Sequence, residues 1–334
     1  MKMASKNFSG LLSSFLIAYL PRTRGVSDNT ISAYRDAFIL FLQFMADTQG
    51  KKPERISFDD FTVTNIDAFL RWLESDRGSS VSTCNNRLAA IKSFFRYVQT
   101  ETPEWIDTAS AVLAISAKKV AQPVIHYLSV DAIKLLLEAA QADGIRDLAL
   151  LSLMYDSGAR VQEIADLVVS DVRLEKPGTV KLTGKGRKTR IVPLTVQVAG
   201  ILSRYIKMLK YATQGEPLFK NWRSEPIGRA GIAYVLQKHT QTANAASPGV
   251  VPQKVTPHML RHSKAMHLLE NGVNLIYIRD FLGHETVVTT EAYAKANPEM
   301  KRKAIEASSQ KILPDSNYSM SEKEDLMRWL RETI

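Results

Sequence analysis

Cysteine is almost missing from this chain. Cys84 is the only one in 334 residues, which excludes an intramolecular disulfide and a cysteine-rich metal site and suits a reducing cytosol. Long apolar runs are missing as well. The first, Phe8 to Leu20, spans about 13 residues and carries Ser9, Ser13 and Ser14, short of the roughly 20 that a membrane-crossing helix needs. No small-residue cleavage site follows it, so it reads as a helix packed on the first domain. There is no internal repeat and no low-complexity tract. Acidic residues are outnumbered: 34 Asp and Glu against 44 Lys and Arg leave a net charge of +10. That balance favours a polyanionic partner without naming one, because ribosome-binding, membrane-surface and DNA-binding proteins share it.

What is present describes ordinary globular protein, 45% apolar and 23% charged, long enough for two domains. Apolar residues at helical spacing (Ile31, Tyr34, Phe38, Phe41, Leu42, Met45) predict a long amphipathic helix from Ser27 to about Ala46. A shorter one follows Thr64, and a third places Val81, Cys84, Leu88, Ile91, Phe95 and Val98 on one stripe. Arg87, Lys92 and Arg96 fall on the opposite face of that third helix, either as a solvated surface or as a stripe facing phosphates. No segment there reads as a strand, so residues 1–118 are expected to form a small helical bundle. The helical pattern lapses over AKKVAQPVIHYLS, and residues 119–129 are expected to be a linker.

Residues 130–311 form the expected second domain, which holds most of the positive charge. Helices over about 130–141 and 145–157 lead through Ser157-Gly158-Ala159 to Arg160 at the start of another helix. After Pro177-Gly178, two extended runs, Val180 to Thr183 and Thr189 to Leu194, flank Gly184-Lys185-Gly186-Arg187-Lys188. With Arg190 beyond it, this is a β-hairpin offering a basic tip to an anion, or simply a charged turn. It is not a P-loop, since the glycine spacing is wrong and no Ser or Thr follows the lysine. Helices resume near 195–212 and 229–239, and residues 240–254 read as a surface loop.

The chain is organised around Thr256 to Lys295. His258 and Arg261, three apart behind Pro257, share the first turn of a helix, whose N-terminus itself favours anions. Leu282-Gly283-His284 closes a second helix, and the residues from there to Tyr293 suffice for a turn and a short helix that brings the phenol back. Taken singly, each residue has a plainer reading. His239, His262 and His267 read as hydrogen-bonded structural groups, and His126 lies in the linker without a partner. His258 and His262, four apart, could be two metal ligands, but no third is evident and Arg261 stands between them.

Arg160 in GARVQEI, Lys185 in TGKGRKTRIVPL, His258 and Arg261 in TPHMLRH, His284 in LGH and Tyr293 in TTEAYAK resemble, in order, the six-residue catalytic set of the tyrosine recombinases, the phage integrase family, and most of all its Xer-like members. The resemblance covers roughly residues 8–308. It implies a mainly α fold with a small β-sheet: a helical, SAM-like core-binding domain and a mixed α/β catalytic domain that close around duplex DNA. It also implies a chemistry. Phenols ionise near pH 10, so Tyr293 needs a base and positive charge nearby. Arg160 and Arg261 suit the non-bridging oxygens of a phosphodiester. Lys185 would protonate the leaving 5′ oxygen, His258 would accept or relay the tyrosine proton, and His284 would hydrogen-bond the phosphate. The product is a 3′-phosphotyrosyl bond that conserves the ester energy, so no cofactor, nucleotide or metal is implied.

Further expectations follow. Arg87, Lys92, Arg96, Arg187, Lys188 and Arg190 are candidate DNA contacts. A capping box at Ser321 to Glu324 predicts a last helix with Leu326, Met327, Trp329, Leu330 and Ile334 within the tail, 312–334. That helix docks either on its own domain or, as the resemblance favours, on a neighbouring protomer in a homo-tetramer. A cytoplasmic, nucleoid-associated bacterial or archaeal protein is implied, with integration, excision or transposition of a mobile element preferred over dimer resolution and accessory proteins left open. A DNA-binding protein without catalysis and a type IB topoisomerase-like enzyme are the alternatives from other classes.

Overall fold

A computed structural model describes residues 7–120, 124–209, 213, 215–286, 290–293, 302 and 328–329, with Lys185 described by its backbone alone. Contacts divide the chain into two units, Met1–Gln122 and Pro123–Ile334. The expected tail helix lies outside the described residues, apart from Arg328 and Trp329. No described helix is long and apolar enough to cross a membrane.

The first unit is helical throughout: α1 (Phe8–Ser14), running on as a π-helical segment (Phe15–Thr23), α2 (Asp28–Gln49), α3 (Val63–Ser75), α4 (Val81–Glu101) and α5 (Ile106–Ala114). Its core is aromatic. Phe41 stacks on Phe61 with centroids 4.5 Å apart, and Phe94 meets Phe8, Phe15 and Phe38 edge-on, an arrangement that suits the ring quadrupoles. The apolar stripe of α4 fills this core as its spacing predicts, but the basic face behind it is not free. Arg87 donates through Nη1 to the Ala33 carbonyl of α2 at 2.8 Å. Lys92 donates to the Leu113 carbonyl at 2.8 Å and also to Ile115. These are carbonyls that the end of α5 leaves without helical partners. Burial and then neighbouring Arg96 push the Lys92 ammonium below its ordinary range. Of the three residues read as a phosphate-facing stripe, only Arg96 is exposed. The correction has a simple cause: residues 87, 92 and 96 span a wide arc of the helix and reach the helices packed on either side of it.

The second unit comprises α6 (Val130–Asp143), α7 (Ile145–Ser157), α8 (Val161–Ala165), β1 (Val172–Arg173), β2 (Thr179–Thr183), β3 (Thr189–Pro193), α9 (Val196–Met208), α10 (Arg229–Ala246), α11 (Pro257–Glu270) and α12 (Leu275–Leu282). The strands form one antiparallel sheet in the order β1-β2-β3, with Thr183 opposite Thr189 and Leu182 opposite Arg190. Strand β1 carried no sequence signal, being two residues long. Helix α7 is apolar nearly all round and lies in the centre, packed by α6, α9 and α11. Helix α10 runs through Ala246, so the loop expected over 240–254 is shorter. Thr240 and Ala243 are buried against the core, which keeps the small polar run helical, and the Thr240 and Thr242 hydroxyls are satisfied by the carbonyls of Leu236 and Lys238 one turn back.

Candidate active site

Local chemistry sets each candidate in place. Helix α7 stops at Gly158, whose φ of +56° is left-handed and whose missing Cβ leaves room for Leu282 Cδ2, 2.9 Å from where it would stand. Two residues later Arg160 is the N-cap of α8. Thr256 caps α11 by accepting from the Met259 amide, with Pro257 at the first helical position, so His258 and Arg261 begin that helix. Helix α12 ends at Gly283, φ +65°, directly before His284. A 3₁₀ turn over Lys185–Arg187 joins β2 to β3.

Three arginines converge on the end of α12. Arg190 donates through Nε to the Phe281 carbonyl at 3.0 Å, Arg261 through Nη2 to Leu282 at 2.8 Å, and Arg160 through Nη2 to Gly283 at 3.1 Å. Arg261 is 3% exposed and also donates to the Gly158 carbonyl at 2.7 Å. Burial, with Arg160 and Arg190 close by, pushes it down to about 10, so it stays a cation at neutral pH. The partial negative charge of the helix terminus is the counter-charge these guanidiniums share. Beneath them the Glu163 carboxylate accepts from the Arg160 amide and Nη1 and from both Nη atoms of Arg190. Although burial opposes it, hydrogen bonds from Arg190 and from the Arg160 amide hold Glu163 below the usual carboxylate range.

Tyr293 is 2% exposed, and its hydroxyl lies 2.8 Å from Nδ1 of His262. Burial raises the phenol, and Arg261 and Arg160 pull it back. Burial first, then His258 and Arg261, lower His262, so the imidazole is neutral at pH 7 and can accept the phenol proton through Nδ1. His258 is exposed one turn earlier, its ring centroid 6.2 Å from that of His262. His284 stacks on Tyr293 with centroids 6.3 Å apart, and its Nδ1 is 3.0 Å from the Thr290 hydroxyl. Burial, then Arg261 and Arg160, push His284 down to about 4. A cavity of about 440 Å³ is lined by Arg160, Gly184, Lys188, Thr189, Arg190, Gly283, His284 and Glu285.

Arg160, Arg261, His284 and Tyr293 therefore come together, and His258 stands at the edge on the helix that carries Arg261. Lys185 opens the turn beside the cavity, and Arg187 and Lys188 are exposed there. Lys188 pairs with Glu285 at 2.8 Å. Two readings made from the sequence are corrected. Arg190, a candidate DNA contact, spends its Nε, Nη1 and Nη2 donors inward on Glu163 and Phe281. His262, read as structural, is the histidine that touches the phenol. Its signal was available, since position 262 is four after 258 and on the same face. Glu163, three after Arg160, was missed for want of a visible partner. Among the described residues, Asp143, Asp147 and His239 are the group close enough to hold a metal. Lys238 and Arg146 already pair with its two carboxylates at 2.8 and 2.7 Å, and no active-site candidate belongs to it.

Residues 126–300 match the family model described as phage integrase family, and residues 14–102 match that of the phage integrase N-terminal SAM-like domain. The chain is 37% identical over 316 residues to the integrase/recombinase y4rC of Sinorhizobium fredii, covering 92% of this chain and 95% of that one. It is 34% identical over 282 residues to the tyrosine recombinase XerD of Oceanobacillus iheyensis, covering 82% and 90%. Its fold is that of the Tn1549 transposon integrase, solved with transposon right end DNA (TM-score 0.66, 19% identity, 90% of this chain and 99% of that one). It is also that of the XerH recombinase, solved with its difH substrate (TM-score 0.64, 22% identity, 89% and 84%). With a Tyr-His pair beside three arginines and a family model that matches more than half of its length, the chain belongs to the phage integrase family: the protein is a tyrosine recombinase, an enzyme that cuts and rejoins DNA.

Proposed function

We propose that this enzyme recombines double-stranded DNA at two short core sites, four copies acting together through a Holliday junction, to integrate, excise or transpose a mobile element. Tyr293 is the nucleophile. Its oxygen attacks the scissile phosphorus while the phenol proton passes to Nδ1 of His262, and the bond from phosphorus to the 5′ oxygen breaks. Lys185 gives that oxygen its proton. Arg160 and Arg261 hold the two non-bridging oxygens, and His258 and His284 hydrogen-bond the phosphate. What remains is a 3′-phosphotyrosyl ester and a free 5′ hydroxyl, and attack by the partner duplex's 5′ hydroxyl returns the phenol. Arg187, Lys188 and Arg96 contact the DNA backbone.

The observation that carries this reading is the 2.8 Å contact between the Tyr293 hydroxyl and His262, in a site where Arg160 and His284 line a cavity open to a phosphate. The integration reading is supported by the likeness to y4rC, whose name is that of an integrase/recombinase, and the Xer-type alternative, dimer resolution, by the likeness to XerD. To separate them, DNA carrying both flanks of the gene is incubated with wild type and with Tyr293→Phe. Joined flanks, absent with Tyr293→Phe, are the expected product. Resolution of plasmid dimers without joined flanks would assign the enzyme to dimer resolution.

A further inference from the structure

The neck of the β2–β3 hairpin is anchored from β3 to one buried carboxylate and passes close against it at the end of β2. On the β3 side Arg190, its side chain 13% exposed, clasps Glu163, 2% exposed, in a two-point fork at 2.7 and 2.8 Å. On the β2 side the backbone at Gly184 passes so close that a Cβ there would stand 2.9 Å from Oε1 of Glu163. The third arm of Arg190, Nε, reaches the Phe281 carbonyl at 3.0 Å, and Gly283 leaves room for its Cδ and Nη1, each 3.0 Å from where a Cβ would stand. One planar group thus spans the hairpin, α8 and the end of α12. A lysine could not make all three contacts, because an ammonium is a point donor without a fork. By contrast the outer tie between hairpin and α12, Lys188 to Glu285, is exposed on both sides and solvent-screened.

We propose that Arg190 is a positioning residue for strand cleavage: by locking the hairpin's neck against Glu163 and the end of α12, it holds the Lys185 turn within reach of the leaving 5′ oxygen. This rests on the reading of Lys185 as the proton donor and Tyr293 as the nucleophile. A residue that merely stabilises the fold would slow every substrate alike. A residue that aims a proton donor is needed only when the leaving group needs a proton. A bridging 5′ sulfur leaves as a thiolate, whose conjugate acid ionises near pH 8.5, and does without one.

The test is single-turnover cleavage of two nicked duplexes, one with the natural 5′ oxygen and one with 5′ sulfur at the scissile phosphate. Wild type, Arg190→Met, Arg190→Lys and Lys185→Ala are compared. Arg190→Met should cleave the oxygen substrate on the order of 100-fold more slowly, the usual consequence of about 1 Å of misplacement, and the sulfur substrate within about threefold of wild type. Arg190→Lys should lie between, with the same selectivity. If Arg190→Met does not fold, as thermal melting will show, Arg190→Lys carries the same signature. Wild-type cleavage of the oxygen substrate, or equal slowing of both substrates, overturns the proposal. Failure of Lys185→Ala to recover on sulfur overturns the proton-donor reading and the proposal with it, and no adduct from wild type overturns the proposed function itself.

Discussion

The Tyr293–His262 contact can be weighed without any DNA. Replacing His262 with leucine takes from a 2% exposed tyrosine the acceptor its hydroxyl has among the described residues, at a desolvation cost of about 1–3 kcal/mol. Tyr293→Phe strands Nδ1 of His262 instead, at about 1–2 kcal/mol. The double variant removes both polar partners, so its cost should be close to that of one single variant rather than their sum, giving a coupling of about 1–2 kcal/mol. In a domain of this size each kcal/mol moves Tm by about 2–4 °C. Thermal and urea unfolding of the four proteins supplies the cycle. Additivity within about 0.5 kcal/mol would show that the two groups do not meet, and the proton transfer assigned to His262 would fall with the contact. If the cycle holds, His262→Leu should also slow cleavage roughly 100- to 10,000-fold, the range of general-base catalysis.

Three other expectations follow from the same geometry. Burial keeps His262 and His284 below their unfolded value near 6.5, so cleavage at subsaturating DNA should be flat from pH 8 to about 6.5 and fall below it; a midpoint at or above 6.5 contradicts the neutral-base reading. For the same reason the unfolded chain takes up these protons first, so stability should be complete above about pH 6.5 and decline as pH falls toward about 4, as urea midpoints across that range will show. Glu285→Gln releases Lys188 and removes a negative charge from the mouth of the cavity, so DNA affinity measured by fluorescence anisotropy should rise a few-fold at low salt and the gain should shrink at high salt; no gain at low salt would refute it. Gly283→Ala forces a left-handed alanine against Arg190, and should cost about 1–3 kcal/mol in unfolding free energy and slow cleavage; a neutral effect would mean that the end of α12 is not held as described.

Much of this was legible in the sequence because local rules and tertiary structure agree. Gly158 and Gly283 mark helix ends, Thr256-Pro257 marks a helix start, and Thr183 and Thr189 frame a hairpin, each placing one candidate residue. What failed depended on contacts across the fold. Arg87 and Lys92 looked like free cations because their acceptors, the carbonyls of Ala33 and Leu113, lie 54 and 21 residues away in sequence. Arg190 has the composition of a DNA contact, yet its partners are Glu163 and Phe281, 27 and 91 positions off. Helical spacing put His258 and His262 on one face of α11, and only the return of Tyr293 distinguishes them. The residues 240–246 read as loop by composition, while burial of Thr240 and Ala243 keeps them helical.

The central claim is that Tyr293 carries the broken strand. A nicked duplex from the flanks of the gene, which loses its short 3′ fragment on cleavage and so traps the enzyme, is incubated with wild type, Tyr293→Phe and Tyr293→Phe/His262→Leu in the presence of a chelator. The denatured product is digested with protease and nuclease and read by mass spectrometry. The account predicts one nucleotide-bearing peptide from wild type, modified on Tyr293, and none from either variant. A modified peptide that contains a different tyrosine, or an adduct that persists in Tyr293→Phe, would contradict it.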